Sequence, residues 1–457
     1  MKGAFSADER EVLAICQGLI ERARSRGADE AEAVVSRTRG AETSVENGDV
    51  HTVQSSQETV FGLRVIAAGS LGFVTANDTS DQALDRATDE ALEQARIVPA
   101  DEWNGLPEAN DVGVVEGLFD PAVAGLGVDE TSRMAMAMLE KVRSIDERVR
   151  IDSGSVGVEV DVSAIASSRG IQLAESSTTV SGYLFGMAVD GDEVASFDYD
   201  GESTRKWDGA EGLLEKSAER FAKKCLAGLG AGQGESFRGT VLLSPEAMAE
   251  FLLPNLITAI TADQVRKGRT PLAGCLGQNI ACPQFTLTDD GSRPGGVASS
   301  AFDREGMAIK STVLVDGGVL ANFLYDHYEA RAAGNGHAST GHARGSATSL
   351  PSIGSSMLEV AAGDTEEADL VGATEKAVIV NRFSGSTNPV TGDFSGVVKN
   401  GFLLHGSSRR PVREVMIAGN LFELIKNISA VSRQRRLVGS THLLPTLRVE
   451  NISVTAA

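Results

Sequence analysis

The chain has 457 residues, with 63 acidic and 42 basic side chains and a formal net charge of −21. Residues 1–200 hold 37 Asp and Glu against 16 Lys and Arg, a balance of −21, whereas residues 201–457 hold 26 of each, a balance of zero. This acidity argues against nucleic-acid binding, which needs clustered Lys and Arg, and 42% hydrophobic residues exclude intrinsic disorder. We expect a globular protein with two or three separately built domains.

The first predicted domain, residues 1–125, contains two predicted helices with strands between them. Apolar residues recur at helical spacing over 7–26 and again over 81–96. Three strand-like runs lie between these helices. They are separated by turns at Asn47-Gly48, a strong hairpin signal because both positions of a type I′ turn need a positive φ, and at Ala67–Ser70.

The second predicted domain, residues 126–235, repeats this order after a polar, proline-containing connection over 97–127. Helical spacing predicts a helix over 129–144 and another over 209–226. Alternating apolar residues predict antiparallel strands between them, within 155–200. The two domains therefore look like structural pseudo-repeats, each built as helix, strands and helix.

The third predicted domain, residues 236–457, follows a glycine-rich boundary at 226–239 that lacks the glycine spacing of a phosphate-binding loop. One helix is predicted from Ser244 onward and another near 420–433, while short strand-like runs and turns fill the rest. The predicted fold class is α+β: two N-terminal helix/antiparallel-strand units followed by a β-rich C-terminal domain.

No catalytic motif stands out from the residues themselves. The chain has no H-E-x-x-H helix, no G-x-S-x-G elbow and no C-x-x-C pair. His327, His337 and His342 cluster in one segment and form a weak alternative metal site, but the segment is rich in Gly, Ala and Ser. We therefore interpret these histidines as structural or exposed, and the four cysteines as reduced thiols.

Several strings resemble the TldD/PmbA family of metallopeptidases. They are GLRVIAAGSLGFVTAND in the first domain, LVDGGVLANFLYDHYEARAAG in the third, and TNPVTGDFSGVVKNGFLLHGSSRRPVREVMIAGNLFELIKNI at 387–428. The resemblance covers nearly the whole chain, in the expected order. It implies one of two related subunits, TldD-like or PmbA (TldE)-like, that act in proteolysis and peptide maturation.

The resemblance also implies where zinc would bind in the family, on an H-E-x-x-x-H helix with a later cysteine. Leu253, Pro254 and Thr258 stand at the His, Glu and His positions of that motif, and no cysteine follows Cys282. The chain thus resembles the PmbA-type subunit, with a degenerate metalloprotease-type domain. We expect no catalytic residue and no cofactor in this chain, and zinc in a TldD-like partner.

The expected partners are a TldD-like subunit, in a heterodimer, or a second copy, in a homodimer, together with an extended or unfolded peptide. We expect a cytoplasmic protein that binds neither nucleic acid nor membrane. Two alternatives stay open: a self-sufficient hydrolase with an unrecognised site, and a homo-oligomeric peptide-binding scaffold. An exposed sheet edge of the third domain is expected to bind peptide or partner by strand addition, through Asn388, Gly392, Asp393, Phe394, Ser395, Gly396, Gly419 and Asn420.

Overall fold

The computed structural model describes residues 5–406 and 408–456; residues 1–4, 407 and 457 of the predicted first and third domains lie outside the described residues. The helices are α1 (Ala7–Ser25), α2 (Asp81–Ile97), α3 (Pro121–Ala124), α4 (Val128–Ile145), α5 (Ala210–Ala227), α6 (Pro245–Ala247), α7 (Leu253–Ala259), α8 (Ala262–Arg266), α9 (His327–Ala333), α10 (Glu367–Gly372) and α11 (Leu421–Lys426), with a π-helical turn at Met248–Leu252.

The N-terminal strands are β1 (Glu30–Glu46), β2 (Asp49–Ala67), β3 (Ser70–Ala76), β4 (Val149–Ser167), β5 (Gln172–Asp190), β6 (Glu193–Val194) and β7 (Asp198–Thr204). The C-terminal strands are β8 (Gly232–Gln233), β9 (Phe237–Leu243), β10 (Leu287–Asp290), β11 (Ser311–Asp316), β12 (Val319–Leu320), β13 (Ala343–Arg344), β14 (Ser352–Ile353), β15 (Leu358–Val360), β16 (Lys376–Val380), β17 (Arg382–Thr387), β18 (Asp393–Lys399), β19 (Gly401–His405), β20 (Ser408–Arg413), β21 (Val415–Asn420), β22 (Ile428–Val438) and β23 (His442–Ala456).

The two N-terminal units share one antiparallel sheet in the order β3-β2-β1-β4-β5-β6, with β7 also paired to β5. Each unit has the predicted helix, strands and helix. Strands β1 and β4 pair from Glu32–Ser167 to Glu46–Ser153, which joins the units edge to edge. The sequence predicted both units but not their fusion into a single sheet.

Two pairs of helices cover one face of this sheet. α1 begins with a capping box, in which Glu9 N donates to Ser6 Oγ (3.1 Å) and Ser6 N donates to Glu9 Oε2 (2.7 Å). α1 and α2 bury one apolar cluster, while α4 and α5 bury a second around Met138 and Phe221. The predicted helices over 7–26, 81–96, 129–144 and 209–226 are confirmed within one residue at each end.

The C-terminal domain is built on a sheet of 14 described strands, and this confirms the predicted α+β class. The long strand β23 pairs with β9, β15, β21 and β22, so it organises the domain. The core packs between this sheet and the helical segment 245–259, whose buried residues include Phe251 and Leu256. Among the described residues, no helix is long and apolar enough to cross a membrane.

The prediction of a helix near 420–433 is wrong beyond its first part. α11 ends at Lys426, and β22 begins at Ile428. Irregular pairing between Ile428 and Ala430 and between Val431 and Arg435 breaks the two-residue period of β22. The buried residues of the strand therefore keep a spacing that imitates a helix. The short helices α9 and α10 were also not predicted.

A buried ionic network links the first domain to the C-terminal domain. Glu32 accepts hydrogen bonds from Arg64 Nη2 (2.7 Å) and Arg304 Nη1 (2.8 Å), and Arg64 also lies 3.3 Å from Glu305 Oε1. All four side chains are at most 8% exposed. Burial opposes the ionisation of Glu32, but Arg64 and Arg304 outweigh it and lower its pKa. The charge of Glu305 is less well compensated by its neighbours, so burial raises its pKa to about 7.

His327 lies against the same network, with its backbone N donating to Glu305 Oε2 at 2.8 Å. Burial, with nearby Arg331 and Arg64, lowers the pKa of His327 to about 4. The stability contributed by Glu305 is full below pH 4.5 and is lost as pH rises through about 7. The stability contributed by His327 is full above pH 6.5 and is lost as pH falls through about 4. The two effects oppose each other at intermediate pH.

We predict that single substitutions separate these two effects. We subtract the free energy of unfolding of the Glu305→Gln variant from that of the wild type. This difference should fall as pH rises from 4.5 to about 7. The wild-type minus His327→Asn difference should rise from about 4 to 6.5. Each slope is at most about 1.4 kcal/mol per pH unit. Urea unfolding across this pH range measures both, with the double variant as the control for coupling. Difference curves with no slope would contradict the assignment.

Candidate functional site

The helix at which the family resemblance places the zinc motif is interrupted in this chain. Over Met248–Leu252 it widens into a π-helical turn, and Leu253 N donates to the carbonyl of Met248, five residues earlier. Pro254 follows directly. Proline has no N–H for the carbonyl four residues earlier and its ring clashes with that carbonyl, so a widened turn accommodates it.

The three residues at the motif positions do not fit zinc. Leu253 is fully buried in the apolar core, and Pro254 carries no donor atom. Thr258 is exposed and its Oγ1 donates to the Pro254 carbonyl at 2.8 Å. Within the described ranges, no group of three or more His, Cys, Asp or Glu side chains is arranged to hold a metal ion.

The weak alternative cluster of histidines is not brought together. His327 begins α9 beside the buried ionic network. His337 stacks on Tyr325, with 5.0 Å between ring centroids. His342 is buried, and its Nε2 lies 3.4 Å from Asp289 Oδ2. Each histidine has its own partner, so the three do not converge on one site.

The two strings predicted to bind peptide or partner do meet, because β18 pairs with β21. Asp393 lies opposite Asn420 and Phe394 opposite Gly419. The other side of β18 is occupied by β17, so residues 393–396 offer no free edge for strand addition. The open edge of this part of the sheet belongs to β17 instead.

Polar residues of these strings shape the local turns. Asn388 Oδ1 accepts from Val390 N at 2.9 Å and closes the turn between β17 and β18. Asn420 Oδ1 caps α11 by accepting from Phe422 N at 3.0 Å, while its Nδ2 donates to Asp393 Oδ1 at 2.9 Å. Hydrogen bonds from Asn420 and then Thr391 lower the pKa of Asp393.

Two glycines of the strings are required by packing. Gly392 has φ +82°, and a Cβ there would overlap the ring of Phe422. A Cβ on Gly396 would overlap the ring of Phe383 and lie 2.6 Å from the Gly385 Cα. The strings therefore have clear structural roles, and their binding of peptide or partner stays a prediction. Asn388 and Ser395 are exposed and available for contact.

Two large cavities lie between the middle unit, residues 126–235, and the C-terminal domain. Two adjoining cavities of about 940 and 910 Å³ form one cleft. Strand β7 lines one wall along its whole length, and the turn between β22 and β23 faces it. Ser203 N crosses to Ser440 Oγ (2.7 Å), which in turn donates to Glu202 Oε2 (2.8 Å). Both cavities are lined by Asp198, Lys224, Glu246, Arg382 and Arg436.

Charged side chains of both signs line this cleft in close pairs. Arg220 Nη2 lies 2.8 Å from Asp200 Oδ1 and 2.6 Å from Glu202 Oε1, and Lys224 Nζ lies 2.7 Å from Asp200 Oδ2. Burial raises the pKa of Asp198 and of Glu202. Burial opposes the charge of Lys224, but the carboxylates of Asp200, Glu246 and Asp198 together outweigh it and raise the lysine pKa.

Glu250, on the π-helical turn, connects the two sides of the cleft. Its carboxylate accepts from Tyr199 Oη (2.8 Å), Arg382 Nε (2.9 Å) and Phe383 N (3.2 Å). The guanidinium of Arg382 also lies 4.6 Å from the centroid of the Tyr199 ring. Burial, then the Glu250 charge, raises the pKa of Tyr199, so its phenol stays protonated. Phe251 packs on Phe383 with 4.4 Å between centroids.

This arrangement is suited to binding. The acids and bases of the cleft are already engaged with one another, whereas the long polar wall of β7 borders the open volume, with the main-chain N of Tyr199 and of Ser203 already hydrogen-bonded. No sequence pattern indicated this site: Tyr199, Glu250 and Arg382 are far apart in the chain, and each is an ordinary residue in its own segment. They meet because the C-terminal domain packs against β7, which brings the three side chains into contact.

We predict that Glu250 stabilises the folded protein by holding the two walls of the cleft together through its hydrogen bonds. Glu250→Ala should lower the free energy of unfolding by about 2–3 kcal/mol, because it leaves three donors without their acceptor. Glu246→Ala is the matched control, one turn earlier, with partners at 3.2 Å (Arg436) and 3.7 Å (Lys224). Its cost should stay below about 1 kcal/mol. Urea denaturation measures both, and equal losses would contradict the role of Glu250.

Comparison with known proteins agrees with this architecture. Three family models match the chain: PmbA/TldA metallopeptidase domain 1 over residues 31–95, the central domain over 122–229 and the C-terminal domain over 236–456. The chain is 28% identical to an uncharacterised protein of Methanocaldococcus jannaschii over 380 residues, which cover 82% of this chain and 85% of that protein.

It is also 26% identical to metalloprotease PmbA of Escherichia coli O157:H7 over 440 residues, 92% of each chain. The crystal structure of TldE from Thermococcus kodakarensis shares the fold, with a TM-score of 0.87 and 23% identity over 96% of this chain and all of that one. The resemblance found in the sequence is confirmed. The chain is a PmbA/TldE-type member of the PmbA/TldD metallopeptidase family.

Proposed function

We propose that the chain is the PmbA/TldE-like subunit of a TldD-type metallopeptidase complex and contributes to proteolysis or peptide maturation without a zinc site of its own. One observation carries this proposal: the helix that matches the zinc motif presents Leu253, Pro254 and Thr258, and Leu253 is packed into the core. Zinc would belong to a TldD-like partner, where it would activate water for peptide hydrolysis. The cytoplasm is the proposed compartment.

The cleft supports a role in holding peptide. The volume of the cleft is larger than the volume of a single side chain. The outer edge of β7 borders the cleft along seven residues. Main-chain groups at a strand edge bind extended peptide of any sequence. Paired charges of both signs would tolerate acidic and basic side chains alike. An unfolded peptide, shared between this cleft and the zinc centre of the partner, is therefore the proposed substrate.

The test is to produce this chain with and without a TldD-like protein and to measure association, zinc content and hydrolysis of an unfolded peptide. The expected result is a complex with zinc bound only in the partner, and more peptidase activity from both chains together than from either one. An unrelated protein of similar size and net charge is the control for crowding. Full activity from the partner alone would contradict the subunit role. Zinc-dependent activity from this chain alone would favour the self-sufficient hydrolase.

A further inference from the structure

The outer edge of β2 is open along its first half. β2 pairs with β1 over its whole length, but β3 covers its other side only from Phe61 onward. From Asp49 to Val60 no described strand lies beside that edge. Residues 49–58 are all exposed, so both faces of the strand are open to solvent here as well.

This edge lacks most devices that protect strand edges from pairing. A bulge at His51, where Val45 pairs with Val50 and Ser44 with Thr52, interrupts the ladder. Beyond it, residues 52–60 read TVQSSQETV, with no Lys and no Pro. We name residues 52–60 the β2 edge. It offers roughly 30 Å of regular strand with main-chain groups pointing outward at every second residue.

Helix α4 lies alongside this part of β2 and adds an apolar margin. At one end of the contact, the Thr131 hydroxyl lies 2.9 Å from Thr43 Oγ1. At the other end, Arg143 Nη2 donates to the Gly48 carbonyl at 2.7 Å. Met136 lies between these two points along the helix and is 49% exposed.

Two valines of β2 extend the same margin. Val53 pairs with Thr43, which is buried under α4, so Val53 points toward the helix side of the sheet. It is nevertheless 46% exposed, and Val50 is 38% exposed. Exposed apolar side chains beside an open strand edge are the combination that strand addition uses, with main-chain hydrogen bonds for affinity and side-chain contacts for specificity.

The negative charge of this half of the protein indicates which kind of chain can bind at the β2 edge. Residues 1–200 carry the whole net charge of −21, so a second copy docked through this half would bring a second acidic surface against the first. At the edge, Asp49 pairs with Arg143 (3.0 Å) and Glu46 with His51 (3.3 Å). Glu58 has no ion pair in the part of the chain that the structure describes. The complementary strand would place a basic residue near Glu58 and an aliphatic one near Val53.

We propose that the β2 edge docks an edge strand of the zinc-bearing partner subunit, with a basic residue against Glu58 and an aliphatic residue against Val53 and Met136. The identity of the partner rests on the proposed function, whereas the surface rests on the open edge and its charge. The two chains would then share one continuous sheet, in which β1, β4 and β5 separate the docked strand from the β7 wall of the cleft.

The test is the dissociation constant for a TldD-like partner, measured with wild type and variants of this chain. Val53→Asp should weaken binding about tenfold or more, because a docked strand would desolvate the new carboxylate. Glu58→Lys should weaken it several-fold and reduce its salt dependence. Val114→Asp is the matched control, since Val114 is 75% exposed and lies in the connection between the units; its binding should stay within about twofold. Circular dichroism melting confirms that each variant is folded.

The outcomes separate the two proposals. If wild type binds no TldD-like protein, the proposed function fails and the docking proposal with it. If wild type binds and Val53→Asp binds equally well, only the docking surface is overturned. If the chain alone forms a dimer that Val53→Asp dissociates, the occupant is a second copy, and the choice of a basic partner strand is overturned.

Discussion

The missing backbone N–H of Pro254 constrains the whole C-terminal half of the cleft. A helix that reaches a proline in its interior must bend or widen, and here it widens over Met248–Leu252. Each added residue rotates the rest of the helix by about 100°. Leu253 therefore points into the core, while Glu250 and Phe251 remain directed toward β17. The position where relatives of the family are expected to carry zinc has become a packing position.

This change also fixes how two domains meet. Glu250 holds Tyr199 from the middle unit and Arg382 from β17 within hydrogen-bonding distance of one carboxylate. Phe251 packs in the same turn against Phe383, with which Phe394 also makes an edge contact. The π-helical turn thus makes both a polar contact and an apolar contact with β17. Residues on both sides of the cleft therefore depend on the conformation of this one turn.

Local patterns predicted the helices and strands of the two N-terminal units, because helices and tight hairpins are encoded by neighbouring residues. The positive φ values of Asn47 and Gly48 were evident from their identity, and they occur at 52° and 78°. The pairing of β1 with β4 was not evident, since a strand edge carries no mark of its distant partner. β22 was mistaken for helix because its bulges change its period. The cleft could not be predicted either, because its residues come from remote segments that meet only through packing between two separate sheets.

The uneven charge distribution gains a structural meaning from the contacts across the domains. The acidic half supplies Asp198 to the cleft and Glu32 to the buried network, and the C-terminal domain supplies Arg382 (3.9 Å) and Arg304 (2.8 Å) against them. At these two contacts, basic residues of the C-terminal domain face acidic residues of the N-terminal half. Along the β2 edge no such residues of the C-terminal half are present in the described structure. An open strand edge in the acidic half, where Glu58 has no ion pair among the described residues, is best matched by a basic strand from another chain.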